Sequence, residues 1–138
     1  MTKIELLDLL NANRNCYFAT VEGGKPHVRG MGMYKADERG LIFQTWTKKE
    51  LHGQLLKNPE VELCFPIKDG TTLRVSGKME QVHDLALKKE IEAARPFMTP
   101  FIQQFGGYEV VAIWVLRKGR ATAWSMKENF TPKTYVEV

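Results

Sequence analysis

Alternating apolar runs separated by glycine-rich turns predict a mainly β chain, folded as an antiparallel barrel with short flanking helices. The strand-like runs follow one another at hairpin spacing, and the helical patterns between them are short. About six such strands fit within 138 residues, and closing them into a barrel removes the exposed edges that apolar strands otherwise present.

Ile4, Leu6, Leu7, Leu9 and Leu10 fall at helical spacing behind a Thr2–Glu5 capping box, so the chain opens with a short helix ending near residues 11–15. CYFATV reads as a strand, EGGKP as a tight turn that uses glycine at positive φ, and HVRGMGMYKA as a second strand. GLIFQTWT is the third, after the turn ADERG.

KKELHGQLLKNP then puts Leu51, Leu55 and Leu56 on one helical face, stopped by Asn58-Pro59. Gly53 inside it signals close packing or a short helix. VELCFPI is a strand with an edge or bulge near Pro66, and TTLRVSGKMEQVH a strand with Leu73, Val75 and Gly77 on one face and Arg74, Ser76 and Lys78 on the other. A helix over about residues 84–94 continues, broken by prolines, through RPFMTPFIQQF. YEVVAIWVLRKGRATAWSM supplies two strands joined by a turn at Lys118-Gly119, and Phe130, Tyr135 and Val136 favour a docked tail.

A hydrophobic content of 43% suits one core, and the expectation is a single domain over 1–138. The formal charge of +4 favours anionic small ligands. It does not favour nucleic acid, because Lys48, Lys49, Lys57, Lys88 and Lys89 are interrupted by Glu50, Glu60, Glu62, Glu90 and Glu92. The first residues alternate charges with leucines and show neither a signal peptide nor a membrane span, so the expected setting is cytoplasmic with no membrane partner. Cys16 and Cys64 lie in apolar runs and read as free thiols packed as small hydrophobes; no Cys/His cluster supports the alternative of a disulfide or metal pair.

Arg29 precedes one strand pair, and Lys48 and Lys49 stand at the start of the following helix. A basic pair there opposes the helix dipole unless an anion lies against the amino-terminal N–H groups. Should Arg29 and Lys49 converge, guanidinium, ammonium and nearby hydroxyls form a pocket for a phosphorylated ligand. The plain alternatives are a solvated strand arginine, solvated lysines, and Thr47 capping the helix with Glu50 in a capping box. Gly30 and Gly32 alternate with Met31 and Met33, which suits a flat ring lying close to backbone and covered by methionine, or else a bulge with core methionines. Trp46, Trp114 and Trp124 serve either the core or an aromatic ligand or interface.

The order of CYFATVEGGKPHVRGMGMY, GLIFQTWTKKELHGQLLKNPEVELCF, TTLRVSGKME and YEVVAIWVLRKGRATAWSM resembles the pyridoxamine 5'-phosphate oxidase-like family over almost the whole chain. The resemblance implies a six-stranded antiparallel split β-barrel (the FMN-binding split barrel), a homodimer, and FMN bound at the subunit interface. It implies that Arg29 and Lys49 contact the FMN phosphate, that Gln44, Thr45, Trp46 and Thr47 line the phosphate and ribityl chain, and that Trp124 sits near the cofactor; the alternation of glycine and methionine then sets Gly30 and Met31 against the ring. It points to a compact FMN-binding member rather than the full vitamin B6 oxidase, since KENFTPKTYVEV holds no arginine or histidine after Arg120.

The implied function is an FMN-dependent oxidoreductase passing electrons from a reduced nicotinamide or similar donor to a small organic acceptor. That chemistry needs no side-chain acid or nucleophile, and His27, His52 and His83 are scattered, so no catalytic residue and no metal ligand is assigned. A non-enzymatic flavin carrier or redox sensor is the alternative.

Overall fold

The computed structural model describes all 138 residues. Helix α1 (Lys3–Ala12) begins at the expected capping box: Thr2 Oγ1 accepts the Glu5 N–H at 3.1 Å, and Glu5 Oε2 accepts the Thr2 N–H at 2.7 Å. Strands β1 (Asn15–Glu22) and β2 (Lys25–Gly32) are joined by Gly23 and Gly24 at φ 59° and 74°. Positive φ at both central residues matches the right-handed strand twist, which is why two glycines close this hairpin.

The expected barrel of six strands does not form. Eight strands make one antiparallel sheet whose path runs β2-β1-β5-β6-β7-β4-β3, with β8 (Val136–Glu137) pairing to β7, and its end strands β2 and β3 (Lys35–Asp37) do not pair. The reason lies in the run HVRGMGMYKA, which changes partner midway. Met33 N–H donates to Arg14 O at 2.9 Å on the β1 side, whereas Tyr34 N–H donates to Ile42 O at 2.9 Å on the side of β4 (Gly40–Trp46). The two ends of the path are therefore linked by covalent chain instead of a ladder.

Both edges are managed locally. The three residues of β3 are held by the Asn11 side chain, which donates to Ala36 O at 2.7 Å and accepts the Ala36 N–H at 2.9 Å. Exposed Lys25 and Pro26 mark the start of β2, residue types that discourage strand addition.

Between them, β5 (Glu60–Pro66) and β6 (Thr72–Val82) pair along their length, and β1 reaches β5 only at Tyr17–Ala19. Pro66 is thus the last residue of an interior strand, beyond the stretch that β1 covers. Where two strands with a turn were expected, β7 (Val111–Trp124) runs unbroken through Lys118 and Gly119. Gly119 faces Gly77, and a Cβ on either would come within 2.5–2.6 Å of a backbone oxygen of the other strand. These glycines permit close approach of strands beside the bulge at Lys78/Met79, which bends the ladder.

One core lies on the inner sheet face beneath α1 and α2 (Glu50–Lys57), with Phe18 and Phe43 packed edge to face at 5.2 Å. A second lies between β4, β7 and the helices α3 (Leu85–Ala94) and α4 (Met98–Gln104), through Ile42, Ile113, Ile91 and Ile102. Covered on both faces, β4 and β7 carry continuous apolar runs in place of alternation. Asp84 Oδ1 caps α3 by accepting the Leu87 N–H, and Pro100 is tolerated in the first turn of α4, where an N–H lacks an intrahelical acceptor.

No Cβ contact surrounds Gly53, so the glycine reflects an eight-residue helix and no close neighbour in this chain. Cys16 and Cys64 are free, and burial, reinforced by neighbouring Cys64, pushes the Cys16 thiol up to about 12. The tail docks through β8 and the Val138 N–H, which donates to Gly119 O, although Phe130 remains exposed.

Candidate functional site

The unbroken β1/β2 register places Arg29 opposite Phe18, on the inner face, so its side chain reaches under the sheet toward α2. There Nη1 donates to Phe18 O at 3.2 Å and Thr20 Oγ1 at 2.8 Å, and Nη2 donates to Gln54 Oε1 at 2.6 Å. Thr20 and Gln54 are themselves buried and hydrogen-bonded to each other at 2.6 Å. All three acceptors are neutral, and none of the six ion pairs in the molecule includes Arg29, Lys48 or Lys49. Burial pulls the Arg29 guanidinium below its ordinary value, while the Glu50 carboxylate acts in the opposite sense.

Between β2 and the start of α2 lies a cleft of about 470 Å³, lined by Arg29, Gly30 and Met31 and, facing them, Thr45, Lys48, Lys49, Glu50 and Leu51. Its size falls in the ~300–1,000 Å³ range of small-molecule sites. Helix α2 starts at the cleft with Lys49 as its N-cap residue and no side-chain cap. The alternative of a Thr47–Glu50 capping box fails, because the chain turns helical two residues later. Thr47 is exposed, and its N–H donates to Val110 O at 2.9 Å.

Gly30 contributes the floor. Its φ is not positive and no atom lies within 4 Å of a Cβ placed there, so neither turn geometry nor internal packing demands glycine. The missing side chain leaves bare backbone that continues past Tyr17 and Gly32 into a second hollow of about 400 Å³. The rival reading of a bulge fails, since β2 is regular; Met33 joins the core, and Met31 borders the cleft.

Of the residues expected at one site, Arg29, Gly30, Met31, Thr45 and Lys49 share this cleft. Gln44 is buried on the opposite face of β4 from Thr45, and its Nε2 donates to Thr45 O at 3.1 Å. Trp46 lines a separate aromatic recess against Phe101. Trp124 sits four strands from β2 along the sheet path, in a recess under the tail, donating to Asn129 Oδ1 at 2.9 Å. Trp114 is a core residue whose Nε1–H donates to His52 Nδ1 at 3.1 Å.

Thr20 and Gln54 are the site residues that sequence reasoning missed. Each carried a signal: Thr20 continues the inward alternation of Cys16 and Phe18, and Gln54 shares the helical face of Leu51 and Leu55, so both are polar residues at core positions.

The donor set fits a phosphate monoester. A guanidinium held by neutral acceptors, an ammonium without a carboxylate partner and an uncapped helix start supply positive potential and N–H donors. The single carboxylate in the lining is Glu50, and no group of three or more His, Cys, Asp or Glu side chains is arranged to hold a metal ion. No helix is long and apolar enough to cross a membrane.

Residues 2–122 match the family model described as pyridoxamine 5'-phosphate oxidase, and the chain belongs to that family. No curated protein matches it. Among solved structures, it is similar to a NimC/NimA family protein from Clostridium acetobutylicum, with a TM-score of 0.81 and 24% identity over 98% of this chain and 92% of the other. A protein from the same organism related to general stress protein 26 gives 0.72 and 18% over 98% and 93%. A pyridoxamine 5'-phosphate oxidase-related, FMN-binding protein from Nostoc punctiforme gives 0.64 and 16% over 96% and 88%. At these identities the likeness is one of fold.

Proposed function

We propose that this chain is an FMN-binding oxidoreductase that passes electrons from a reduced nicotinamide or similar donor to a small organic acceptor. The observation that carries this reading is the Arg29 guanidinium, half-buried at a cleft and fixed by Phe18 O, Thr20 and Gln54 without any carboxylate partner. Such a cation is incompletely compensated, and a dianionic phosphate at the uncapped start of α2 completes it.

In this reading Arg29 and Lys49 hold the phosphate, with Thr45 beside them, and the bare backbone of Gly30 and the thioether of Met31 receive the ring. The flavin, when bound, supplies the hydride and electron chemistry. The protein's residues orient it, neutralise its charge and exclude water from one side.

A second copy of the chain covers the site in this proposal. Tyr17 and Val28, exposed by 58% and 68%, lie beside Gly30 on the outer sheet face, and aromatic and aliphatic groups so placed suit a subunit interface. A cytoplasmic setting supplies the reduced donor.

An absorbance spectrum of the purified protein, followed by titration of the apoprotein with FMN and riboflavin, tests the reading. Expected are the visible bands of oxidised flavin and at least tenfold tighter FMN binding; equal affinity for both removes the phosphate site. Rapid reduction by NADH or NADPH distinguishes an enzyme from a carrier or redox sensor.

A further inference from the structure

The aromatic recess at Trp46, of about 330 Å³, opens on the far side of β4 from Thr45 and shares Lys48 and Lys49 with the cleft. Its remaining lining is Trp46, Phe101, Phe105 and Val110, with no carboxylate. Phe101 on α4 and Phe105, the residue that caps its end, hold nearly parallel rings at an interplanar angle of 6°, and Trp46 meets Phe101 at 5.7 Å. These phenylalanines are 47% and 43% exposed. Lys48 Nζ stands 5.8 Å from the Phe105 ring centre and belongs to no ion pair. Trp114 and Trp124 donate their indole N–H groups to His52 and Asn129, whereas that of Trp46 has no such side-chain partner.

Aromatic walls, a free indole donor and two unpaired ammonium groups at the rim are the chemistry that recognises a flat heterocycle carrying phosphate. The recess begins where the phosphate end of the cleft finishes, because the two share the same lysines. We propose that it is an adenylate subsite, and that it takes the adenosine monophosphate half of a dinucleotide flavin whose FMN half occupies the cleft. The purine lies against Phe101 and Trp46, and Lys48 neutralises the second phosphate of the pyrophosphate. The assignment of the flavin half rests on the function proposed above; the recess chemistry does not.

The test is calorimetric titration of the apoprotein with FAD, FMN, AMP and NADH, in wild type, Phe101→Ala and Lys48→Ala. FAD binding at least tenfold tighter than FMN is expected, with Phe101→Ala bringing FAD down to the FMN level and leaving FMN itself within twofold, and with Lys48→Ala, at a residue that also borders the cleft, weakening FAD more than FMN. Circular dichroism melting of both variants verifies that they remain folded, as their exposure predicts. Equal FAD and FMN affinity in wild type, or equal losses for both flavins in Phe101→Ala, overturns the subsite and leaves the flavin cleft standing. AMP binding that Phe101→Ala abolishes, in a protein that takes no FMN, supports the subsite and removes the flavin reading instead. NADH displacing AMP where FAD does not overturns the assignment to the flavin's own adenylate.

Discussion

Arg29 Nη2 donates to Gln54 Oε1 at 2.6 Å, joining edge strand β2 to helix α2 across the floor of the cleft. The acceptor is an amide, so the bond orients the guanidinium without cancelling its charge. Gln54→Glu keeps the shape and adds a carboxylate. The expected result is an unchanged or raised Tm with FMN affinity at least tenfold lower and riboflavin affinity unaltered; matching losses for both ligands would show that Gln54 acts on the fold and not on the phosphate.

Replacing Lys49 with alanine removes an ammonium from the cleft rim without opening the core, because the residue is exposed. Loss of one charge-assisted contact predicts a fall in FMN affinity of roughly 10- to 100-fold, about 1.5–3 kcal/mol, and little change for riboflavin. Paired fluorescence titrations measure both.

Gly30→Leu places a side chain on the outer sheet face beside Tyr17, in open space where no atom lies within 4 Å of the new Cβ. The variant is expected to melt within a few degrees of wild type, since surface changes of this kind cost about 0.5 kcal/mol or less. Its flavin content after purification is expected to drop several-fold. Full flavin loading would mean that the ring lies elsewhere.

Two glycines give opposite signs. Gly53→Ala meets no neighbour within 4 Å in a helix and is expected to stabilise by about 1 kcal/mol. Gly119→Ala would bring its Cβ to 2.5 Å from Ser76 O, a backbone atom, and is expected to destabilise by roughly 1–3 kcal/mol. Urea denaturation of both variants gives the comparison.

His52 accepts the Trp114 indole N–H at Nδ1, and burial holds its pKa below the ordinary value of 6.5, with the nearby His83 acting in the same direction. The folded protein thus favours neutral imidazole. Its contribution to stability is complete above about pH 6.5 and declines as the pH falls from there toward the lowered folded value, because the unfolded chain binds the proton first. Tm measured between pH 8 and pH 5 is expected to fall more steeply in wild type than in His52→Gln.

The Thr2–Glu5 cap and the Gly23–Gly24 hairpin were legible because each is specified by residues a few positions apart. Arg29 and Lys49 were legible as a pair through their type and through the resemblance, and they do line one cleft. The orientation of Gln44 and Trp46 was not, although strand alternation separates them from Thr45 once the strand is known to be covered on both sides. Alternation reports which face a side chain takes and says nothing of which strand lies alongside. The change of partner at Met33–Tyr34, and with it the open sheet, therefore left no mark in the pattern. Gly119 was misread as a turn because positive φ and close approach both call for glycine, and only its distant neighbour Gly77 tells them apart.

Strand β2 is paired along one margin only, and the other margin retains main-chain donors and acceptors that no residue change can delete. Had the sheet closed on itself, those groups would have been spent on the ladder. Left over, they are open to a small molecule or to a neighbouring polypeptide, and under the function proposed above, where FMN and a second copy meet at this margin, uptake of one would be thermodynamically linked to arrival of the other.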